Sequence, residues 1–373
     1  MRRICYIMKL KSDELMIIFE MSSEKDWKSA LSIAAVCRRW RSVVQATPRA
    51  WCTLRFPDRP PMNIISMYLT HSKPLLLHLA TYRGLYDPRL DQTYFDIINQ
   101  NSDRIECLLA RPGEQDMLTS TFQRLRRLDF GDIIYTIKVK FGGLPRSRFP
   151  SLVQLIVPNF DWRRSYAVID HPPIQVLSIG IDEKGAWFQI LAILGRTLVT
   201  LRIMVYNDDH WQLVTGSLDF PLLKYLEIIP IENTIPLIIK AKTPSLRSYF
   251  IYNQILEEAF SVEVDFDVIT HLYVEEPVDL NLALYPMVRH LRILFRPEIV
   301  AEMMEESPEL CPRLESIEYL DKGDLVADTG PFEWEIPGRV ELIPCTGDTA
   351  WEVPLPGQYP ERVSTAFFLN KNK

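Results

Sequence analysis

A short unit returns through the middle of the chain and restricts what it can fold into. The unit has the form apolar-x-x-Leu-x-Leu/Ile, as in Leu125-Arg-Arg-Leu128-Asp-Phe130 or Leu223-Lys-Tyr-Leu226-Glu-Ile228. Copies stand at 125–130, 152–157, 174–179, 198–203, 223–228, 246–251, 269–274, 288–293 and 314–319, and a shorter one at 105–108. From Leu125 the first positions advance by 27, 22, 24, 25, 23, 23, 19 and 26 residues. Repeats of one strand plus a return segment have this period. One such unit cannot bury its apolar side alone, so neighbours must stack into a solenoid with a curved parallel sheet. Five units follow an X-Pro step (Phe149-Pro150, Phe220-Pro221, Thr243-Pro244, Tyr285-Pro286, Cys311-Pro312) that ends one segment before the next strand.

The chain is long enough, at 373 residues, for two or three domains. Its 14 glycines include no phosphate-cradling pattern. The six cysteines are scattered without a C-x-x-C pair, which argues against structural zinc and for reduced core thiols. No apolar run is long enough for a membrane span or a signal-peptide core. A cytoplasmic or nuclear setting is expected, not a secreted one. Charge is uneven: residues 1–60 hold 12 Lys/Arg against 6 Asp/Glu, and the rest holds 30 against 42. A basic head on an acidic body suits an acidic protein partner better than nucleic acid, because its few basic residues share their helix with an apolar face.

The first sixty residues predict a compact helical module. Ser12 with Asp13-Glu14 predicts a helix start, and Leu15, Ile18 and Phe19 fall on one helical face. A second helix is expected from Trp27 and Ser29 through Val43-Val44, stopped before Pro48, with Trp51 folding back as an anchor.

The residues Asp13-Glu14-Leu15-Met16-Ile17-Ile18-Phe19, Val36-Cys37-Arg38-Arg39-Trp40-Arg41 and Thr47-Pro48-Arg49-Ala50-Trp51 resemble a fungal-type F-box. The repeat units resemble degenerate leucine-rich repeats. The resemblance implies an α/β fold: an F-box helical module over 1–60, a leucine-rich-repeat-like solenoid over 61–320, and a cap with a flexible tail over 321–373. It implies a substrate-recognition adaptor, not an enzyme, whose F-box docks a Skp1-type adaptor of a cullin ubiquitin ligase. Leu10, Leu15, Ile18, Phe19, Val36, Cys37, Trp40, Pro48 and Trp51 would serve that docking. The alternative is a non-catalytic repeat scaffold that does not engage Skp1, and Lys11, where the family has proline, favours it.

Elsewhere the chemistry is sparse. Helices are expected over 64–69, 94–98, 186–194 and 297–307, and a first strand over 75–79. Asn159 and Asn207 are the possible remnants of a repeat-turn asparagine. No catalytic residue, cofactor, metal site, nucleic-acid partner or membrane contact is expected. Asp208-Asp209-His210 is read as a polar loop. His271 and His290 fall at like positions of successive units, about 5 Å apart if the units stack; solvent-facing or hydrogen-bonded repeat histidines are the preferred reading, and a metal pair is the alternative. Candidate surface residues for a protein substrate are Arg126, Gln154, Gln175, Lys224, Arg247, His271 and Arg289, with Thr200 and Glu315 beside them. A one-residue slip of register would turn them inward.

Overall fold

The computed structural model describes residues 6–55, 62–80, 88–110, 117–130, 144–157, 170–181, 186–205, 217–230, 237–251, 260–274, 281–293, 297–307, 310–320 and 340–345. Asn159, Asn207, Asp208–His210 and the chain beyond residue 345 lie outside them. The protein is α/β, with N-terminal helices followed by long runs of parallel strands, and divides into two compact units. The first holds residues 1–156 and 165–173, the second 157–164 and 174–373.

The first unit opens with three helices, α1 (Ser12–Lys25), α2 (Ser29–Val36) and α3 (Arg38–Gln45). Ser12 is the first helical residue of α1, not its cap. The start is fixed instead by Glu14, whose carboxylate accepts the Lys11 N–H at 2.7 Å. Leu15, Phe19 and Ser23 form the buried stripe of α1. The expected single second helix is divided at Cys37, whose backbone is extended (φ −160°, ψ 169°). Its Sγ accepts the Trp40 N–H at 3.4 Å and so caps α3. Pro48 opens a 3-10 turn, Pro48–Trp51, that carries Trp51 into the interior. The Trp51 indole donates to the Val44 carbonyl at 2.7 Å and packs edge-on to Tyr68, ring centres 4.9 Å apart.

A parallel sheet continues directly from this module. Its strands are β1 (Thr53–Arg55), β2 (Leu77–Ala80), β3 (Ile105–Leu109), β4 (Arg127–Asp129) and β5 (Gln154–Val157), paired in that order. β1 precedes the strand that the sequence placed first. The helices α4 (Met62–His71) and α5 (Pro88–Gln100) return the chain between the first three strands. Arg104 ties these returns together by donating to the Leu69 and Leu75 carbonyls and to Ser72 Oγ.

In the second unit the strands β6 (Val176–Ile181) and β7 (Thr200–Val205) flank α6 (Ala186–Leu194). After β8 (Ser217–Asp219) come β9 (Tyr225–Pro230), β10 (Leu237–Lys242), β11 (Ser248–Ile251), β12 (Phe260–Glu263), β13 (His271–Val274) and β14 (His290–Ile293). The helix α7 (Pro297–Glu306) then precedes β15 (Ser316–Leu320) and β16 (Glu341–Cys345). The main sheet runs β6-β7-β9-β11-β13-β14-β15-β16, all parallel, and β12-β10-β8 make a second small parallel sheet.

The repeat unit explains the regularity of the main run of strands. Its first and fourth residues, such as Leu198 and Leu201 or Val288 and Leu291, are at most 6% exposed. Burying each such side chain contributes about 1.5–3 kcal/mol. The X-Pro steps form turns in which the residue before proline accepts the N–H of the unit's first apolar residue. The pairs are Phe149 with Leu152, Phe220 with Leu223, Thr243 with Leu246, Tyr285 with Val288 and Cys311 with Leu314, at 2.9–3.3 Å. Proline suits the second place of such a turn because its φ is already set. The carbonyl just before β4, β6, β7, β9, β11, β13 and β14 then takes two N–H groups of the next unit. Arg247 O, for example, accepts from Thr270 and His271 at 2.9 Å.

Candidate functional site

Two surfaces carry the residues singled out in the sequence, one in each unit. On the helical module the named residues separate by depth. Leu15, Phe19 and Trp51 are at most 1% exposed and form its interior. Leu10, Cys37, Trp40 and Pro48 are half-buried, with Trp40 stacked obliquely on Phe19 at 5.2 Å. Ile18 and Val36 are exposed, at 38% and 59%. Ile17 and Met21, which sequence reasoning passed over, are more exposed than Ile18, at 59% and 57%. Because α1 rises one turn every 3.6 residues, Ile17, Ile18 and Met21 form one continuous apolar patch on its outer side. Single exposed apolar residues are ordinary, but a contiguous set marks a docking surface.

Three arginines of the module are held by contacts within it. Arg39 donates to the Leu10 carbonyl and Arg41 to the Ala34 carbonyl. Arg49 faces Glu20 at 3.7 Å. Arg38 is exposed. Burial pushes the Cys52 thiol up to about 11, against the pull of Arg104 and Arg49, which leaves it an unreactive packing group.

In the second unit the sheet presents an outer face opposite the buried leucines. Two rows of side chains cross it. The first runs Thr200, Tyr225, Ser248, His271, His290 and Ser316, each opposite the next. The second, two residues further along each strand, runs Arg202, Glu227, Phe250, Tyr273, Arg292 and Glu318. Arg202 Nε lies 2.9 Å from Glu227, Phe250 and Tyr273 stack at 4.6 Å, and Arg292 lies 3.8 Å from Glu318. Tyr225 donates its hydroxyl to Glu227 at 3.1 Å and touches Phe250. A central aromatic stack is thus bracketed by an Arg–Glu pair on each side.

The sequence candidates meet this face only in part. His271 lies in the first row, as does Thr200. Gln154 opens β5 in the first unit, opposite Arg127. Arg126, Gln175, Lys224, Arg247, Arg289 and Glu315 stand one residue before their strands, where their backbones carry the inter-repeat hydrogen bonds. They line the strand starts and not the strand face. Arg202, Glu227, Tyr273 and Arg292 were missed; the signal was the single residue between the unit's fourth and sixth apolar positions.

Among the described residues no group of three or more His, Cys, Asp or Glu converges on a metal-sized space. A groove of about 200 Å³ between α4 and α5, lined by Met62, Ile65, Leu69 and Ile97, is smaller than most ligand sites. No helix among the described residues is long and apolar enough to cross a membrane. No family model matches the chain, and no curated protein matches it.

Proposed function

We propose that the protein is an F-box and leucine-rich-repeat adaptor of a Skp1–cullin ubiquitin ligase. In this reading α1 to α3 dock the Skp1-type adaptor, and the parallel strands belong to a leucine-rich-repeat-like solenoid whose outer face receives a protein substrate. The protein then transfers nothing itself; it holds a substrate near a ubiquitin-loaded enzyme. The observation that carries the reading is the exposed apolar patch Ile17, Ile18 and Met21, with exposed Val36 at the end of α2, on a module whose interior is otherwise closed around Trp51 and Phe19. A hydrophobic patch left open on a basic segment, with 12 Lys/Arg against 6 Asp/Glu over residues 1–60, suits an acidic, partly apolar protein partner.

Capture of a purified Skp1-type adaptor by the full chain tests this. The wild type should retain the adaptor, and Ile17→Glu should lose most of it while keeping its helical signal, since a charge there faces solvent until a partner covers it. Absence of capture by folded wild-type protein would reject the ligase reading. It would leave the repeat scaffold, which exposed Lys11 at the proline position of the family favours.

A further inference from the structure

His271 opens β13 and His290 opens β14, and the parallel pairing sets them directly opposite one another. Their ring centres lie 4.6 Å apart and the planes are inclined by 37°. Both rings are half-buried on the outer face, because the next residues, Leu272 and Leu291, occupy the core with 0% exposure. Each ring is anchored through Nδ1. Thr270 Oγ1 lies 2.9 Å from Nδ1 of His271, and Ser316 Oγ lies 2.9 Å from Nδ1 of His290. Ser316 is also the next residue of the row, opposite His290. When each Nδ1–H donates to its hydroxyl, Nε2 carries the lone pair. In that tautomer Nε2 is the nitrogen able to ligate a metal, and such an outer hydrogen bond is the usual support of a ligating histidine.

The charges near the pair do not oppose a cation. Arg289 is matched by Glu315 at 3.3 Å and Arg292 by Glu318 at 3.8 Å. Arg247 points its guanidinium at the Leu246 and Val268 carbonyls. Burial first, and the neighbouring His290 second, lower the His271 imidazole from its ordinary value, and the Glu318 carboxylate opposes them.

We infer that His271 and His290 form a two-imidazole site for a divalent transition-metal ion of the zinc, nickel and copper type. Imidazole suits these ions and not magnesium or calcium, which take oxygen. Two protein ligands leave the remaining positions to water, or to a donor of a molecule lying on the sheet. Sequence alone favours solvent-facing or hydrogen-bonded histidines over a metal pair; the structure joins that hydrogen bonding to two tilted rings on neighbouring strands.

Titration of the metal-free full chain with Zn²⁺ at neutral pH tests the site, followed by calorimetry. The wild type should bind about one ion per chain beyond any taken up by the His271→Gln, His290→Gln double variant. Each single variant should weaken that binding by about tenfold or more, His78→Gln should leave it unchanged, and Mg²⁺ should give no heat. Circular dichroism of the metal-free variants shows whether they fold, and Cu²⁺ bound to the wild type should show two nitrogen ligands by electron paramagnetic resonance. Isotherms that coincide for wild type and both single variants, or a copper spectrum without two nitrogens, would overturn the site.

Discussion

At the scale of single residues, solvent depth decides role. Trp51 and Phe19 are interior, so their place in the motif is to build the module, while Ile17 and Met21 are what a partner would touch. The pair His78–Glu106, 3.5 Å apart, shows the same logic in charge. The hydrogen bond from His78 holds the Glu106 carboxyl below its ordinary 4.5, with burial opposing. A carboxyl lowered in the folded state stabilises above its unfolded value and loses that contribution as pH falls through the folded one. The wild type should therefore exceed Glu106→Gln in urea midpoint at pH 7, by less than about 1 kcal/mol because both groups are partly exposed. The difference should vanish in the acid range, well below pH 4.5. An equal gap at both pH values would remove the ionic account. The buried leucines of the repeats were legible in the sequence because their spacing admits one inner side. Ile17 and Met21 were not, because α1 is apolar on two sides and periodicity alone does not say which one the core takes.

At the scale of elements, short-range chemistry sets boundaries that periodicity cannot. Helical spacing runs unbroken from Leu31 to Val44, yet the backbone turns at Cys37, where neither proline nor glycine announces a break. The X-Pro turns were legible as stops, and the structure adds that each one also launches the next strand. The strand face was read one residue early because polar residues occupy both the second and third places of the unit. Helix α6 ends on a close approach: a Cβ on Gly195 would lie 2.6 Å from the Asp219 carbonyl and 2.9 Å from that of Leu191. Both atoms are backbone and cannot swing aside. Gly195→Ala should cost about 1–3 kcal/mol in urea unfolding, as overpacking of a filled site does. An unchanged midpoint would mean that β8 moves freely relative to α6.

At the scale of the whole molecule, the repeats of the second unit bury their leucines against sequence neighbours, so stability there is shared between adjacent units more than across the sheet. Leu272, fully buried in β13, tests this. Leu272→Ala should cost about 2–5 kcal/mol, and amide exchange should quicken first in β11 and β14, its direct partners, and least in β6. A uniform increase across all strands would indicate one all-or-none core instead. The parallel order of strands followed from the repeat spacing; the second small sheet of β8, β10 and β12 did not, because its strands lie in return segments that share no unit. The turn before each strand and the doubly used carbonyl have one more consequence. Together they act as a phase reset: whatever the chain does between strands, the next unit is clamped to the same register as the last. Repeat periods can therefore drift between 19 and 27 residues without accumulating error, so insertions in the returns are a route by which such a chain changes its decoration while its row of strands stays in step.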